Sequence, residues 1–591
     1  MNKKFLPISK SDMEERGWDE LDIILVTGDA YVDHPSYGAA VIGRVLEDAG
    51  FKVGIIAQPR SANLDDFKKL GRPRLFFGVS AGNLDSMVAN YTANKKVRNR
   101  DEYSPGGKPR LRPDRATLIY ANRIREAFAN TVIVIGGMEA SLRRLAHYDY
   151  WSDTVRRSLL LDSKADILVY GMGETAVLEI ARRLKEGKGA KSLEGIRGTV
   201  IAKNSTDGIN DYVIIPSFEE VRVNKDKFNE AFRMAYLEQD PFRGRAIIQP
   251  HEKRLIIQFP PVMPLSEDRM DHIYGLPYTR LPHPSYKKEG GVPGFESVKF
   301  SIVSHRGCPG ECSFCSLFAH QGRIVQSRSR ASILKEIRNL AGREDFRGTI
   351  TDIGGPTANL YGSYCHRWKG EGACKHKKCL APERCKNLIP AYDQTLRLWQ
   401  ESSTIPGVKN VFVGSGVRYD LLVEKDSDEF LKTLCEYHVS GLLKVAPEHS
   451  EEHVLKLMNK PPMKLYDRFV ARFNEFSRRA GKKQFLVNYF IAAHPGSTLE
   501  DALRLALALK ARNIRPEQIQ DFIPLPMTLA AAMYHTEKDP FTGKAVYVAK
   551  GMRERKLQRA LMQFSQPQNK KYVIEALRKL RKTHLIGKLF R

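Results

Sequence analysis

The chain has 591 residues, of which 42% are hydrophobic and 28% are charged, a composition typical of folded globular proteins. We expect about three or four domains at this length, because a single hydrophobic core rarely grows so large. The sequence has neither an apolar run of about 18 residues nor a signal-peptide segment, which excludes a spanning helix and predicts a cytoplasmic protein. The formal net charge of +27 suggests a polyanionic partner, but a charge excess is more often a solvated face than a binding site.

The first domain, predicted over residues 1–200, alternates short apolar strands with helices. Strands are predicted over residues 22–27, 52–56, 74–79, 132–135 and 166–170, and a helix over residues 39–49. This alternation predicts an α/β fold with a doubly wound, Rossmann-like parallel sheet. Ligands of such sheets bind beyond the carboxyl ends of the strands, where this chain has Gly28, Asp29, Gly136, Gly137, Gly171, Gly173 and Glu174. Glycines at these positions also have a simpler explanation, which is that they permit tight turns.

A second run of strands predicts a barrel over residues 296–540. Residues 201–295 are punctuated by prolines and are interpreted as an extended connector. Beyond it, strands are predicted over residues 298–303, 348–353, 408–413, 441–446, 484–490 and 518–522, with helices between them. This order predicts a partial (β/α)6 barrel, whose catalytic groups should lie at the carboxyl ends of its strands.

Three cysteines directly follow the first barrel strand with the spacing C-x3-C-x2-C: Cys308, Cys312 and Cys315. One short loop with this spacing can present three thiolates to three irons of a cubane 4Fe-4S cluster. The fourth iron would then have no protein ligand, and chemistry needs such an open metal position. A zinc knuckle is the alternative, but zinc sites usually combine two C-x2-C pairs, so the spacing favours the cluster.

Together with the motifs downstream, these cysteines closely resemble the radical SAM superfamily, and the whole chain resembles the YgiQ family of radical SAM proteins. The resemblance implies that Cys308, Cys312 and Cys315 bind the cluster and that Phe314 covers the cluster or the adenine. It also implies that Gly354 and Gly355 hold the amino group of S-adenosylmethionine, although Pro356 replaces the glutamate that often follows. Further candidate contacts to this cofactor at the same rim are Ser415, Arg418 and Glu448.

The same resemblance implies a mechanism. One electron from the reduced cluster cleaves S-adenosylmethionine into methionine and a 5′-deoxyadenosyl radical, which abstracts a hydrogen atom from the substrate. The electron would come from a one-electron donor such as flavodoxin or ferredoxin. The motifs do not name the substrate.

The first domain resembles the cobalamin-binding-like domain that precedes many radical SAM barrels, on the segments 136–142 and 166–174. Cobalamin domains that use a histidine ligand carry D-x-H-x-x-G after the first strand, and the segment from Asp33 to Gly38 departs from that pattern. We therefore interpret His34 as a loop histidine. A cobalamin-dependent radical methyltransferase remains an alternative function.

A second set of cysteines occupies an insertion over residues 358–390: Cys365, Cys374, Cys379 and Cys385. Four thiolates suit either an auxiliary iron–sulfur cluster or a structural zinc ion, and free surface thiols are the third interpretation. Their spacing matches no standard module. The last cysteine, Cys435, is predicted to be a buried residue of a helix.

Residues 541–591 form a predicted basic tail of two helices, with 14 Lys and Arg against 2 Glu. Such a surplus can hold RNA phosphates, or it can be the solvated face of a helix pair. An RNA- or ribosome-binding protein with structural metal sites is therefore the alternative to an enzyme.

Overall fold

The computed structural model describes residues 4–590 and divides the chain into two compact units. The N-terminal unit runs to residue 299 and includes the short segments 319–322 and 370–372, and the remaining residues form the C-terminal unit. Residues 1–3 and 591, the outer ends of the first and last predicted domains, lie outside the described residues. Within residues 4–590, none of the helices combines the length and the apolar composition that a membrane span requires.

The strands of the N-terminal unit are β1 (Ile23–Thr27), β2 (Val32–Asp33), β3 (Val53–Ala57), β4 (Phe76–Ser80), β5 (Ile133–Gly136), β6 (His147–Asp149), β7 (Thr154–Arg156), β8 (Ile167–Val169), β9 (Thr199–Lys203), β10 (Tyr212–Ile214), β11 (Ala246–His251), β12 (Arg254–Gln258) and β13 (Leu281–Pro282). Its helices are α1 (Lys10–Glu14), α2 (Gly38–Asp48), α3 (Asp65–Lys68), α4 (Ser86–Asn90), α5 (Ala116–Ala127), α6 (Gly137–Leu142), α7 (Leu159–Asp162), α8 (Glu174–Lys185), α9 (Phe218–Val223), α10 (Lys225–Leu237), α11 (Glu267–Gly275) and α12 (Pro293–Glu296).

Nine of these strands form one sheet in the order β10-β11-β12-β9-β8-β5-β4-β1-β3. The five strands from β8 to β3 are parallel, and every residue of β1 is buried, as expected for apolar strands covered on both faces. The predicted α/β class and parallel sheet are thus confirmed. The sheet also continues through β9 to β12, so residues 199–258, which overlap the predicted connector, contribute four strands to it.

The C-terminal unit contains β14 (Ser301–Val303), β15 (His305–Arg306), β16 (Gln326–Ser327), β17 (Thr349–Ile350), β18 (Asp352–Gly354), β19 (Asn410–Val411), β20 (Leu442–Glu448), β21 (Phe485–Ala492) and β22 (Ile519–Asp521). The remaining helices along the chain are α13 (Leu317–Gln321), α14 (Arg330–Ala341), α15 (Tyr392–Ser403), α16 (Asp428–Thr433), α17 (Glu452–Leu457), α18 (Met463–Arg479), α19 (Leu499–Ala511), α20 (Leu529–Thr536), α21 (Met552–Met562), α22 (Lys570–Lys579) and α23 (Ile586–Phe590).

Parallel pairing follows the predicted barrel order, because β14 pairs with β18, β17 with β19, and β20 with β21 and then β22. Helices separate these strands along the chain, so a partial (β/α) barrel describes the unit. The basic C-terminal helices also have an apolar face. Leu557 and Leu561 of α21 and Leu577 of α22 are fully buried in a core that α19 shares.

Candidate functional site

The three cysteines predicted to bind the cluster lie on one loop that leaves β15. The loop begins with Gly307 at φ +83°, where a Cβ would lie 2.0 Å from the carbonyl oxygen of Ile324. Only glycine fits such a turn, because it tolerates positive φ and has no side chain. Within the loop, the amide of Cys315 donates a hydrogen bond to the carbonyl of Cys312 over 3.0 Å. The turn therefore fixes the point at which the backbone that carries all three cysteines leaves β15.

Ser313, between the second and third cysteines, ties this loop to the rest of the barrel. Its amide donates to the carbonyl of Met458 over 3.0 Å, and its carbonyl accepts from the amide of Ala530 over 2.8 Å. The side chain of Asn459 donates to the carbonyl of Glu311 over 2.9 Å. Segments distant in sequence thus hold the loop in one conformation.

Burial affects the protonation of the Cys308 and Cys315 thiols. It raises the pKa of Cys308, although the positive charge of the nearby Arg418 lowers that pKa in part. It raises the pKa of Cys315 to about 12. These thiols are therefore protonated in the protein alone. Metal ions bind thiolates, so loading the site with iron has to release protons.

Arg418 lies beside the cysteine loop, with its Nη1 atom 3.9 Å from Sγ of Cys312. Its guanidinium also donates to both carboxylate oxygens of Asp420, at 2.7 and 3.1 Å, which fixes its direction. A Cβ at Gly310 would lie 2.6 Å from the same Nη1 atom, so this glycine provides the space for the guanidinium. A fixed positive charge next to sulfur favours a negatively charged centre there.

The glycine pair lies at the end of β18. A Cβ at Gly354 would lie 2.4 Å from Oγ of Ser415, and one at Gly355 would lie 2.5 Å from the carbonyl of His305. Ser415 itself is held by Asp352, whose Oδ1 accepts from the Ser415 amide over 3.0 Å and from the Ser415 hydroxyl over 3.1 Å. Close packing within the protein therefore requires glycine at both positions, whether or not a cofactor is bound.

Glu448 ends β20 at φ +69°, after a register shift in the pairing with β21. The residue is buried, and burial raises the pKa of its carboxyl to about 7, against the opposing charges of Lys460 and Arg418. A carboxyl with this pKa can both donate and accept hydrogen bonds near neutral pH. It is also close enough to Cys315 for its charge to contribute to the raised pKa of that thiol.

Phe314 packs edge-on against the ring of His494, with the ring centroids 5.9 Å apart. His494 is fully buried, and burial lowers its pKa to about 4, so its ring is neutral. Its Nδ1 lies 2.7 Å from the carbonyl of Pro495, which can only accept, so Nε2 accepts from the hydroxyl of Ser313 over 3.0 Å. His494 thus supports both Phe314 and the cysteine loop.

The cysteines of the insertion also gather. Burial, followed by the nearby charge of Glu311, raises the pKa of Cys379 to about 12. The other three cysteines of the insertion are near enough to Cys379 to contribute to the same shift. Tyr364 and Ile389 exchange backbone hydrogen bonds of 3.0 and 2.9 Å, and so close the segment that contains all four. Cys435, by contrast, is completely buried in the helical turn Leu434–His438.

The strand ends of the N-terminal unit are packed with the chain's own groups. Arg112 donates to Asp29 over 2.7 Å and to Asp101 over 3.2 Å, and all three side chains are buried. A Cβ at Gly28 would lie 2.3 Å from the carbonyl of Ala81. Close packing therefore explains why glycine occurs at position 28.

His34 is fully buried in the same unit. Its Nδ1 atom accepts from the amide of Ser36 over 3.1 Å, and its ring packs edge-on against Tyr37 and Phe295. A ring in this position serves packing.

The sequence pattern did not single out Asp352, Asp420 and Glu311, the carboxylates that fix the rim. Asp352 holds the amides of Gly414 and Ser415, Asp420 directs Arg418, and Glu311 lies 3.4 Å from Arg323. No spacing rule connects these pairs. The one available signal was that Asp352 interrupts an apolar strand next to the glycine pair.

The sequence matches two family models that together define the class. Residues 5–301 match the Radical SAM N-terminal family and residues 302–509 match the Radical SAM superfamily, so the protein is an enzyme of the radical SAM class. Residues 517–589 match a domain of unknown function, DUF3362.

The chain belongs to the UPF0313 family, the family that the YgiQ resemblance predicted. It is 51% identical to a UPF0313 protein of Clostridium botulinum strain 657 over 586 residues, covering 99% of this chain and 92% of the relative. It is 50% identical to one of Methanosarcina mazei over 615 residues, covering 98% of both chains.

Solved structures resemble the chain more distantly. The radical S-adenosylmethionine methyltransferase TsrM from Kitasatospora setae is 14% identical with a TM-score of 0.49, covering 93% of this chain and 89% of TsrM. The cobalamin-dependent S-adenosylmethionine radical enzyme OxsB is 10% identical with a TM-score of 0.48, covering 98% of this chain and 71% of OxsB. At these scores the likeness carries no argument about what this chain binds.

Proposed function

We propose that this protein binds a 4Fe-4S cluster through Cys308, Cys312 and Cys315 and uses it to cleave S-adenosylmethionine. The observation that carries the proposal is the three-cysteine loop at the barrel rim, with the guanidinium of Arg418 3.9 Å from Sγ of Cys312. When bound, the cofactors supply a 5′-deoxyadenosyl radical, which takes a hydrogen atom from a substrate still to be identified.

The residues around the loop fit these cofactors. The thiols supply soft sulfur ligands, and Arg418 places a positive charge beside sulfur atoms that become more negative on reduction. The backbone of the loop is anchored on both sides of the chain at Ser313, which supports binding by a loop of fixed conformation. The protein thus contributes orientation and charge balance.

The same rim offers groups for S-adenosylmethionine. Gly354 and Gly355 would present backbone groups to its amino end, and Phe314 would cover the adenine or the cluster. Glu448 would hydrogen-bond its carboxylate or ribose, as either donor or acceptor, because burial sets its pKa to about 7. Ser415 is engaged with Asp352, so we assign it to shaping the glycine pair and not to direct contact.

The test is anaerobic reconstitution with iron and sulfide, followed by addition of S-adenosylmethionine and a strong one-electron reductant. We expect 5′-deoxyadenosine from the wild type, none from Cys312→Ala, and undiminished product from Cys435→Ala. Reconstituted protein that makes no 5′-deoxyadenosine would contradict the proposal, as would product formation by Cys312→Ala. In the cell, we propose a flavodoxin or ferredoxin as the electron donor.

The N-terminal unit does not fit histidine ligation of cobalamin, because His34 is buried against Tyr37 and Phe295. Cobalamin-dependent methyl transfer therefore stays a second candidate only if cobalt binds without histidine. Purification in the presence of cobalamin, followed by its visible spectrum, decides the point.

RNA is the second candidate partner, and one feature of the C-terminal helices favours it. The charged groups of Lys556, Lys571 and Arg553 lie 4.0, 5.1 and 5.1 Å from the ring centre of Tyr572. Basic and aromatic groups in one patch are typical of surfaces that bind single-stranded RNA. RNA binding that weakens with salt, and is lost when these three cations are replaced by glutamine, would support this partner.

A further inference from the structure

The second cysteine set consists of Cys365, Cys374, Cys379 and Cys385. One loop contains all four, and backbone hydrogen bonds between its two ends close it. Tyr364, next to Cys365, pairs with Ile389, and the amide of Leu388 donates to the carbonyl of Cys385 over 2.9 Å. The amide of Cys385 donates to the carbonyl of Cys379 over 2.8 Å. The first and last two cysteines are therefore brought together by backbone contacts alone.

The loop is larger than its own apolar contacts can order. Residues 364–390 contain little regular structure: a 3-10 turn over His366–Lys369 and the single bridge between Tyr364 and Ile389. Their buried apolar side chains are few, among them Trp368, Leu380 and Leu388. Segments of this size without a core are typically ordered by a metal or a covalent link. The four cysteines of this loop, whose backbone is closed by the hydrogen bonds given above, can supply four thiolate ligands for a metal.

The charge around the loop suits a negatively charged metal centre. Residues 364–390 carry 7 Lys and Arg against 2 Glu. A 4Fe-4S cluster with four thiolates is negatively charged in both of its usual oxidation states, so this basic loop stabilises it. Lys378, the residue before Cys379, also lies near enough to Cys312 for their charges to interact.

A short contact path joins the two cysteine sets. Glu311 precedes Cys312 in the sequence, and its carboxylate lies 3.4 Å from Nη1 of Arg323. The same Nη1 atom donates to the carbonyl of Cys374 over 3.3 Å. One arginine thus contacts both loops, which places the second cysteine set beside the first.

We propose that Cys365, Cys374, Cys379 and Cys385 bind a second 4Fe-4S cluster, which passes electrons one at a time to the cluster of Cys308, Cys312 and Cys315. An external low-potential one-electron donor reduces the second cluster from its 2+ to its 1+ core. It returns to 2+ as the first cluster goes to 1+, and no proton or group is transferred. The relay role rests on the function proposed above, whereas the second site itself does not.

The first experiment counts iron, sulfide and zinc in the anaerobically reconstituted full chain, with Mössbauer spectroscopy on the wild type and three variants. We expect about eight iron and eight sulfide per wild-type chain, about half of each in Cys374→Ala and in Cys312→Ala, and the full amount in Cys435→Ala. About four iron in the wild type would overturn the proposal. So would one equivalent of zinc that is lost in Cys374→Ala.

The second experiment tests the relay by electron paramagnetic resonance of the reduced protein. Two neighbouring reduced clusters should give a spin-coupled spectrum in the wild type and in Cys435→Ala, and an uncoupled one in Cys374→Ala. Reduction of the first cluster by flavodoxin should slow at least about tenfold in Cys374→Ala. An unchanged rate would overturn the relay.

The outcomes for the two proposals can be told apart. Wild-type protein that cleaves S-adenosylmethionine with a single cluster retains the proposed function and loses the second site. Protein with two clusters that does not cleave S-adenosylmethionine retains the second site and loses the proposed function.

Discussion

The two cysteine loops are held in different ways. Hydrogen bonds with three residues more than a hundred positions away along the chain, Met458, Asn459 and Ala530, anchor the loop of Cys308 to Cys315. The loop of the second set is closed mainly by contacts between its own residues, such as those of Tyr364 with Ile389 and of Cys379 with Cys385. Distant parts of the barrel therefore hold the first loop, whereas the backbone contacts of the second loop close it from within.

This difference matters for chemistry as well as stability. A site with three protein ligands must keep the fourth metal position open, so its geometry cannot depend on the cluster alone. A site with four cysteine ligands is complete once the metal is bound, and binding energy can order the loop. Each mode of support suits the role proposed for its loop.

Removal of iron should have the largest effect and should separate the loops. After chelation of the reconstituted chain, we expect amide exchange in residues 364–389 to rise at least about tenfold, because the bonds from the proposed metal centre to its four cysteines are lost. Exchange at Ser313 should change less than about twofold. Hydrogen–deuterium exchange with mass spectrometry measures both, and an equal rise in the two loops would contradict the comparison.

Gly310→Ala should disturb the first loop without removing any thiol. The new Cβ would lie 2.6 Å from Nη1 of Arg418 and 3.3 Å from Sγ of Cys308, so the guanidinium has to move. We expect cleavage of S-adenosylmethionine to fall about 10- to 100-fold, as for other displacements of about 1 Å at reacting centres. Iron content should stay unchanged. Gly342→Ala, whose nearest neighbour is 3.7 Å away, is the matched control, and equal activity of both variants would refute the assignment.

The last prediction concerns pH and the support from His494. Its pKa is lowered by burial from 6.5 to about 4, so the stability it contributes is complete above pH 6.5 and is lost as the pH falls towards 4. The loss at pH 5 is about 2 kcal/mol, from about 1.4 kcal/mol per pKa unit. We therefore expect exchange at Ser313 to rise between pH 7 and pH 5, after correction for the intrinsic rate.

Two variants isolate this contribution. His494→Gln should lose most of the pH dependence of Ser313 exchange. His438→Gln replaces another buried histidine, whose Nδ1 lies 2.7 Å from the carbonyl of Val411, and it should leave Ser313 as in the wild type. A wild-type pH dependence in His494→Gln would contradict the role given to His494.

Much of the fold could be predicted because short apolar runs between glycines identify buried parallel strands. The strand predicted over residues 22–27 is β1, and each predicted barrel strand overlaps a strand of the structure. The strands β11 and β12 were missed because the prolines after Phe259 and those of residues 276–284 suggested an extended connector. Another proline, Pro250, lies within β11 itself. The neighbouring strand β10 pairs with β11 only as far as Ile248. Pro250 lies beyond the end of that pairing, so the N–H group that proline lacks removes no hydrogen bond to β10.

The site was predictable where function depends on spacing and not where it depends on tertiary contacts. The spacing of the three cysteines pointed to one loop, and the structure brings Arg418 and Glu448 to that loop as well. The pairing of Arg418 with Asp420 and the contact of Arg323 with both cysteine loops arise only from folding. Neither has a sequence signature, since the partners follow no periodic pattern.

The tight turn at Gly307 also affects how relatives of this protein should be recognised. Its neighbour, the carbonyl of Ile324, leaves no space for any side chain, and Gly310 has a similar constraint from Arg418. A homologue could keep every cysteine and still be inactive if either glycine were replaced. A diagnostic pattern for functional members should therefore read G-C-x-G-x-C-x-x-C, and sequences that break it at a glycine are candidates for pseudoenzymes.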